Sequence, residues 1–394
     1  MRKFILVTGL IFLFAVEILR VYFIMPFPGS QQSDSIAFAY WLGRNITWIR
    51  ILLLLLISYP VYHSFRYNKR WKKIGLGFIL LLFGLVFYFV NFKMEADKMF
   101  YQPGVKKFSN FSQSKLDTNK LVIGVIRNGE AKAYPIEVIG YHHQVRDSIG
   151  GSQVMITYCT VCRTGRVFLP VVNGKNEEFR LVGMDHFNAM FEDVTTKSWW
   201  QQATGIAITG KLKGTRLREI ESRQMRLGSW IRLYPNSTIL QPDPGFPKKY
   251  EGLKGFDEGT IKGGLEHRDT LSWQKKSWVI GLPDVLGQPV AYDWNMLVKK
   301  QIIEDSTSRL PILIVLEDDG KTFHTYDRRN YTVLNFEIMH GTNTMRDLQT
   351  GSVWNMNGFA TEGLLKGQQL PKTQSYQEFW HSWLQFHPDT KKYE

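Results

Sequence analysis

Sulfur is scarce in this chain. Among 394 residues only Cys159 and Cys162 carry thiols. That excludes a closed four-cysteine zinc centre and leaves one local bridge, or one pair poised for redox or metal chemistry. Arg163 stands where c-type haem attachment wants a histidine, so no haem is expected. Long apolar runs are missing beyond about residue 90. A basic stripe with interleaved aromatics is also missing after that point, which sets nucleic-acid binding aside.

Three apolar segments fill the N-terminal region, at about 4–25, 46–62 and 74–90. Each is close to the length that crosses a bilayer as helix, and residues 1–93 read as a transmembrane anchor. No small-x-small cleavage site follows the first segment, and Glu17 and Arg20 interrupt it, which disfavours a removed signal peptide. Glu17 and Arg20 are three apart and suit an ion pair with each other. Arg66, Lys69, Arg70, Lys72 and Lys73 crowd the second loop, whereas the first carries only Arg44. Positive-inside bias then predicts a bacterial inner (cytoplasmic) membrane protein, its N-terminus cytoplasmic and its C-terminal domains extracytoplasmic. Of the formal charge of +14, the first 93 residues supply +9, so the basic balance belongs mostly to the anchor.

The remaining sequence repeats. Trp200, Gly205, Gly210, Gly214, Leu217, Trp230 and Pro235 recur as Trp354, Gly358, Gly363, Gly367, Leu370, Trp383 and Pro388, at an offset of 153 to 154. Upstream, the run from Val122 corresponds to the run from Val279. Two tandem related domains follow, 115–241 and 272–394, with a linker at 242–271 rich in Gly, Pro and charge. Short β-branched segments at 121–127, 153–158, 166–171 and 178–182 predict strands. Pro135 suits a helix start, and Ser375 with Glu378 reads as a capping box opening a C-terminal helix. The fold class is α+β, mostly antiparallel β. Trp and Gly kept in both halves read as architecture.

The cysteines break the repeat. Where the first half reads VMITYCTVCRTGRVF, the second reads PILIVLEDDGKTFH, with 316–320 at the equivalent turn. A bridge closing so short a loop constrains little chain, which favours function over structure. The residues after Cys162 open a helix poorly and suit a return strand, so the pair belongs on a hairpin tip that resembles a metal knuckle. Two thiolates need further ligands from elsewhere, and His142 and His186 are the candidates, with copper favoured over an open zinc site.

Tyr158-Cys-x-x-Cys-x-Thr-Gly165, with Asn188, Asp193, Ser198, Trp200, Gln202, Gly205, Gly210, Gly214 and Leu217 downstream, resembles a family of bacterial and archaeal proteins known only as a domain of unknown function. The resemblance covers most of each half and not the anchor. His142 falls where that family often has His; Thr160 and Arg163 depart from its usual Pro and Gly. The family implies no activity, so no enzyme class is assigned. Three functions are expected in order: transition-metal binding at Cys159 and Cys162, thiol-disulfide exchange with the same cysteines as catalytic groups, and a non-enzymatic module docking envelope proteins. The membrane is the first partner and an envelope protein the second.

Overall fold

The computed structural model describes all 394 residues. Helices α1 (Arg2–Tyr22), α2 (Ile36–Tyr67) and α3 (Arg70–Phe92) are each long and apolar enough to cross a membrane. Leu52, Leu55, Phe78 and Leu81 leave more than 60% of their surface exposed, as lipid-facing side chains do. The second helix is longer than its apolar core suggested. Its 32 residues rise about 48 Å, against a hydrocarbon layer of about 30 Å. The surplus has a protein partner, because Ile36 and Ala39 are buried with Val182, Met190 and Trp199.

Glu17 and Arg20 do not pair with each other. Glu17 is fully buried and takes Arg50 Nε at 2.5 Å, while Asn91 bridges both groups. Arg20 reaches Glu95 at 3.0 Å. The three-residue spacing permitted a local pair, but a buried carboxylate gains more from a guanidinium fork than from a single contact.

Beyond the anchor the element order runs twice. The first pass is β1 (Leu121–Arg127), β2 (Glu130–Pro135), α4 (Ile136–His142), β3 (Gln144–Ile149), β4 (Ser152–Cys159), β5 (Thr164–Leu169), β6 (Phe179–Asp185), β7 (Asn188–Asp193), β8 (Trp199–Gln201), β9 (Ala207–Thr209), β10 (Ser222–Arg226), α5 (Leu227–Leu233) and β11 (Thr238–Leu240). The second is β12 (Trp278–Leu282), β13 (Val290–Asp293), α6 (Trp294–Lys300), β14 (Ile302–Asp305), β15 (Ile312–Leu316), β16 (Phe323–Asp327), β17 (Phe336–Met339), β18 (Thr344–Asp347), β19 (Val353–Asn355), β20 (Ala360–Glu362), β21 (Tyr376–Phe379), α7 (Trp380–Phe386) and β22 (Lys391–Tyr393). Pairing is antiparallel except where β2 meets β11 and, at the matching place, β13 meets β22.

The recurring residues are structural. Trp200 donates its indole N–H to Asp193, and Trp354 donates to Asp347, each at 3.0 Å. Gly210 (φ 87°) and Gly363 (φ 88°) lie so close to Ser198 and Ser352 that a Cβ would fall 2.6 Å from an atom of each serine. Gly124 and Gly281 lie under the rings of Trp230 and Trp383.

The chain forms two compact units. One holds residues 1–101 and 177–216, so the sheet β6–β9 belongs with the anchor; there Met184 N donates to Ile24 O at 2.7 Å. The other holds residues 102–176 and 217–394. In it the capping box at Ser375 does not form. Residues 376–379 pair with β12 as a strand, Ser375 bonds Thr325, and the helix starts at Trp380. All four strand residues are buried, so burial overrides the local cap signal. Residues 242–271 bury more than their composition suggests, including Tyr250, Phe256 and Asp257.

Candidate functional site

Cys159 ends β4 and pairs with Thr164 at the start of β5. Thr160, Val161, Cys162 and Arg163 make the turn, and Arg163 takes φ 55° to close it. Both thiols are completely buried. The tip is walled by the second pass: Phe379 N donates to Cys162 O at 3.0 Å. Lys276 Nζ donates to Val161 O and Leu265 O, each at 2.6 Å.

Electrostatics at the tip are mixed. Burial pushes the Cys162 thiol well above its usual pKa, and Cys159, in hydrogen-bond contact beside it, adds to the rise. A hydrogen bond with Ser382 and the charge of Lys276 pull the other way. Burial lowers the Lys276 ammonium, and the two cysteines oppose that. Arg163 is fully buried beside them. Its guanidinium lies 3.8 Å from the Trp278 ring centre, donates to Gln377 Oε1 at 2.8 Å and to Phe256 O at 3.1 Å.

The sister hairpin gives the comparison that matters. Glu317 follows β15 and closes its pairing with Thr322, as Cys159 does with Thr164. The position of Cys159 therefore holds a carboxylate in the second pass. Ser229, which corresponds to Ser382 by the repeat offset, donates to Glu317 at 2.7 Å; His324 contacts it at 2.8 Å, and Arg232 completes the ion pair. Burial opposes ionisation, but His324, Ser229 and Arg232 overcome it and hold Glu317 at about 2. In both passes the seat at the hairpin tip faces a serine hydroxyl from the other pass.

Of the residues singled out from sequence, the fold brings Cys159 and Cys162 together. No group of three or more His, Cys, Asp or Glu side chains that could hold a metal ion is gathered in the structure. His142 Nε2 lies 2.8 Å from Tyr250 OH. His186 belongs to the anchor unit, where Nδ1 lies 2.7 Å from Asp185 Oδ1. Lys276, Ser382 and Arg163 were not singled out as site residues. Ser382 had a signal, since the Ser-Trp pair recurs as Ser229-Trp230 and Ser382-Trp383. Lys276 had none, because it reaches the turn from another segment.

A family model described as "Protein of unknown function (DUF3179)" matches residues 101–390. No curated protein and no solved structure matches the chain.

Proposed function

Because the chain belongs to the family described as Protein of unknown function (DUF3179), a description that names no activity, we propose its role from the hairpin: Cys159 and Cys162 form a two-thiolate seat for copper(I). The observation that carries this is the seat's equivalence to Glu317, a position where the same scaffold stabilises a buried anion. Soft thiolates select copper(I). Each cysteine gives up its proton on binding, and two thiolates with one copper(I) leave a single negative charge. Lys276 and the Ser382 hydroxyl offset it, as Arg232 and Ser229 do for Glu317. A structural zinc site fits less well, since it takes four ligands from Cys, His or carboxylate. The setting is a membrane-anchored protein, and the basic loop around Lys69 to Lys73 supports a cytoplasmic N-terminus with this unit outside.

The test is anaerobic titration of the full-length chain in detergent with copper(I) against a chromophoric chelator. One copper per chain is expected, lost in Cys159→Ser and in Cys162→Ser. Lys276→Met is expected to keep the stoichiometry and weaken affinity roughly tenfold. Equal copper retention by the wild type and the double serine variant would sink the reading.

Lys276 and Ser382 also favour a second reading, dithiol exchange. One thiolate attacks a partner disulfide and releases a partner thiol. The second cysteine then displaces the other partner sulfur, leaving a Cys159–Cys162 disulfide and a reduced partner. Complete burial of both thiols opposes it. A mixed disulfide trapped by Cys162→Ser, with no copper bound by the wild type, would favour exchange.

A further inference from the structure

The anchor unit carries two cavities that meet at Val21, near the end of α1. One is purely apolar, about 480 Å³, between α1 and α3, lined by Ile18, Tyr22, Leu85, Val86 and Phe89 among others. The other is about 350 Å³ and charged, lined by Arg20, Arg44, Arg180 and Lys197 with Glu95 and Glu192. Both volumes fall within the roughly 300–1,000 Å³ typical of small-molecule sites.

We propose that this pair of cavities binds one anionic phospholipid, its phosphate among the cations of the charged cavity and an acyl chain in the α1–α3 groove. Cations outnumber carboxylates around the charged cavity. Arg20 is engaged by Glu95 at 3.0 Å, and Arg180 by Glu192 at 2.8 Å and Asp97 at 3.4 Å. Those contacts occupy the carboxylates that line the cavity. Arg44 and Lys197 have no carboxylate within salt-bridge distance, and Arg20 Nε is buried without a hydrogen-bond partner. Two uncommitted cations therefore face a space that already holds a third cation with an open donor.

The depth suits a headgroup. Arg20 lies two residues before the end of α1, and Glu95 three residues after the end of α3. Arg44 is six residues before Arg50 on α2, hence about 9 Å from the Glu17–Arg50–Asn91 network along the axis. Tyr22, Trp41 and Trp48, all partly or largely exposed, mark the same end of the helices. Aromatic and basic side chains together are the composition of a membrane interface. The apolar cavity runs from Tyr22 and Met94 back along α1 and α3 to Ile18 and Leu82, which is the direction an acyl chain takes from that interface. A soluble anion would leave this groove unused, and a zwitterionic lipid would bring its own ammonium group to a cavity already lined by Arg20, Arg44, Arg180 and Lys197.

Full-length chain reconstituted in nanodiscs of phosphatidylglycerol and phosphatidylcholine, extracted into mild detergent and weighed by native mass spectrometry, tests this. One retained phosphatidylglycerol per chain is expected, favoured over phosphatidylcholine by roughly tenfold or more. Arg44→Gln with Lys197→Gln should abolish that preference, Arg44→Lys should keep it, and Val86→Trp, which fills the groove, should abolish retention of both lipids. Equal retention of the two lipids by the wild type, or an unchanged preference in the double glutamine variant, overturns the proposal.

Discussion

Glu317 illustrates how much one side chain can carry when every partner is in place. Its pKa of about 2 in the folded chain lies below the ordinary 4.5. The contribution is thus complete above pH 4.5 and is lost as pH falls toward 2, amounting to about 3 kcal/mol. Glu317→Gln should remove it, leaving Arg232 without its counter-charge and His324 without its carboxylate partner. Urea unfolding from pH 2 to 7 is the check: the wild type loses stability steeply below pH 4.5, whereas the variant starts lower and declines less. An unchanged acid limb would show that the ion pair is not the source. None of this was visible in the run Leu-Glu-Asp-Asp-Gly. Ser229 and Arg232 come from almost ninety positions away, and a single sequence carries no signal for that contact.

Among the elements, short strands and the repeat were the most legible parts. Residues 121–127 form the strand their β-branched pattern predicts, because alternation and composition agree there. The strand at 376–379 was hidden by a capping signal, since a local Ser-x-x-Glu motif says nothing about Glu378, which bonds Arg166 at 2.5 Å. The recurring glycines were recognised as architecture, but the reason for two of them lies in packing: a Cβ on Gly124 or Gly281 would fall 2.1 or 2.2 Å from an indole carbon. Gly281→Ala is expected to cost about 1–3 kcal/mol by displacing the fully buried Trp383. Gly228→Ala, a helical position where the nearest atom lies 3.4 Å from the added Cβ, should be neutral or slightly stabilising. Denaturation midpoints of the two variants test the contrast, and equal shifts would remove the packing explanation.

For the molecule as a whole, the anchor was legible in the sequence because bilayer length is a strong constraint. The membership of β6–β9 in the anchor unit was not, since the corresponding strands β17–β20 look alike in sequence and belong to the other unit. Orientation is tested by fusing alkaline phosphatase after Glu394, which should be active outside the cytoplasm, while the same reporter placed in the basic loop near Asn68 should be silent. The reverse pattern would invert the topology. Hairpin tip and helix serine are exchanged between the two passes, with Gln224 meeting its counterpart Gln377 at 2.9 Å. That is the reciprocity of a two-fold dimer interface, where patch i meets j and j meets i. Here the two copies share one backbone, so they need not remain identical. Two separate identical chains would have to place sulfur at both seats or at neither. In one chain, one seat can hold a permanent ion pair while the other holds thiols.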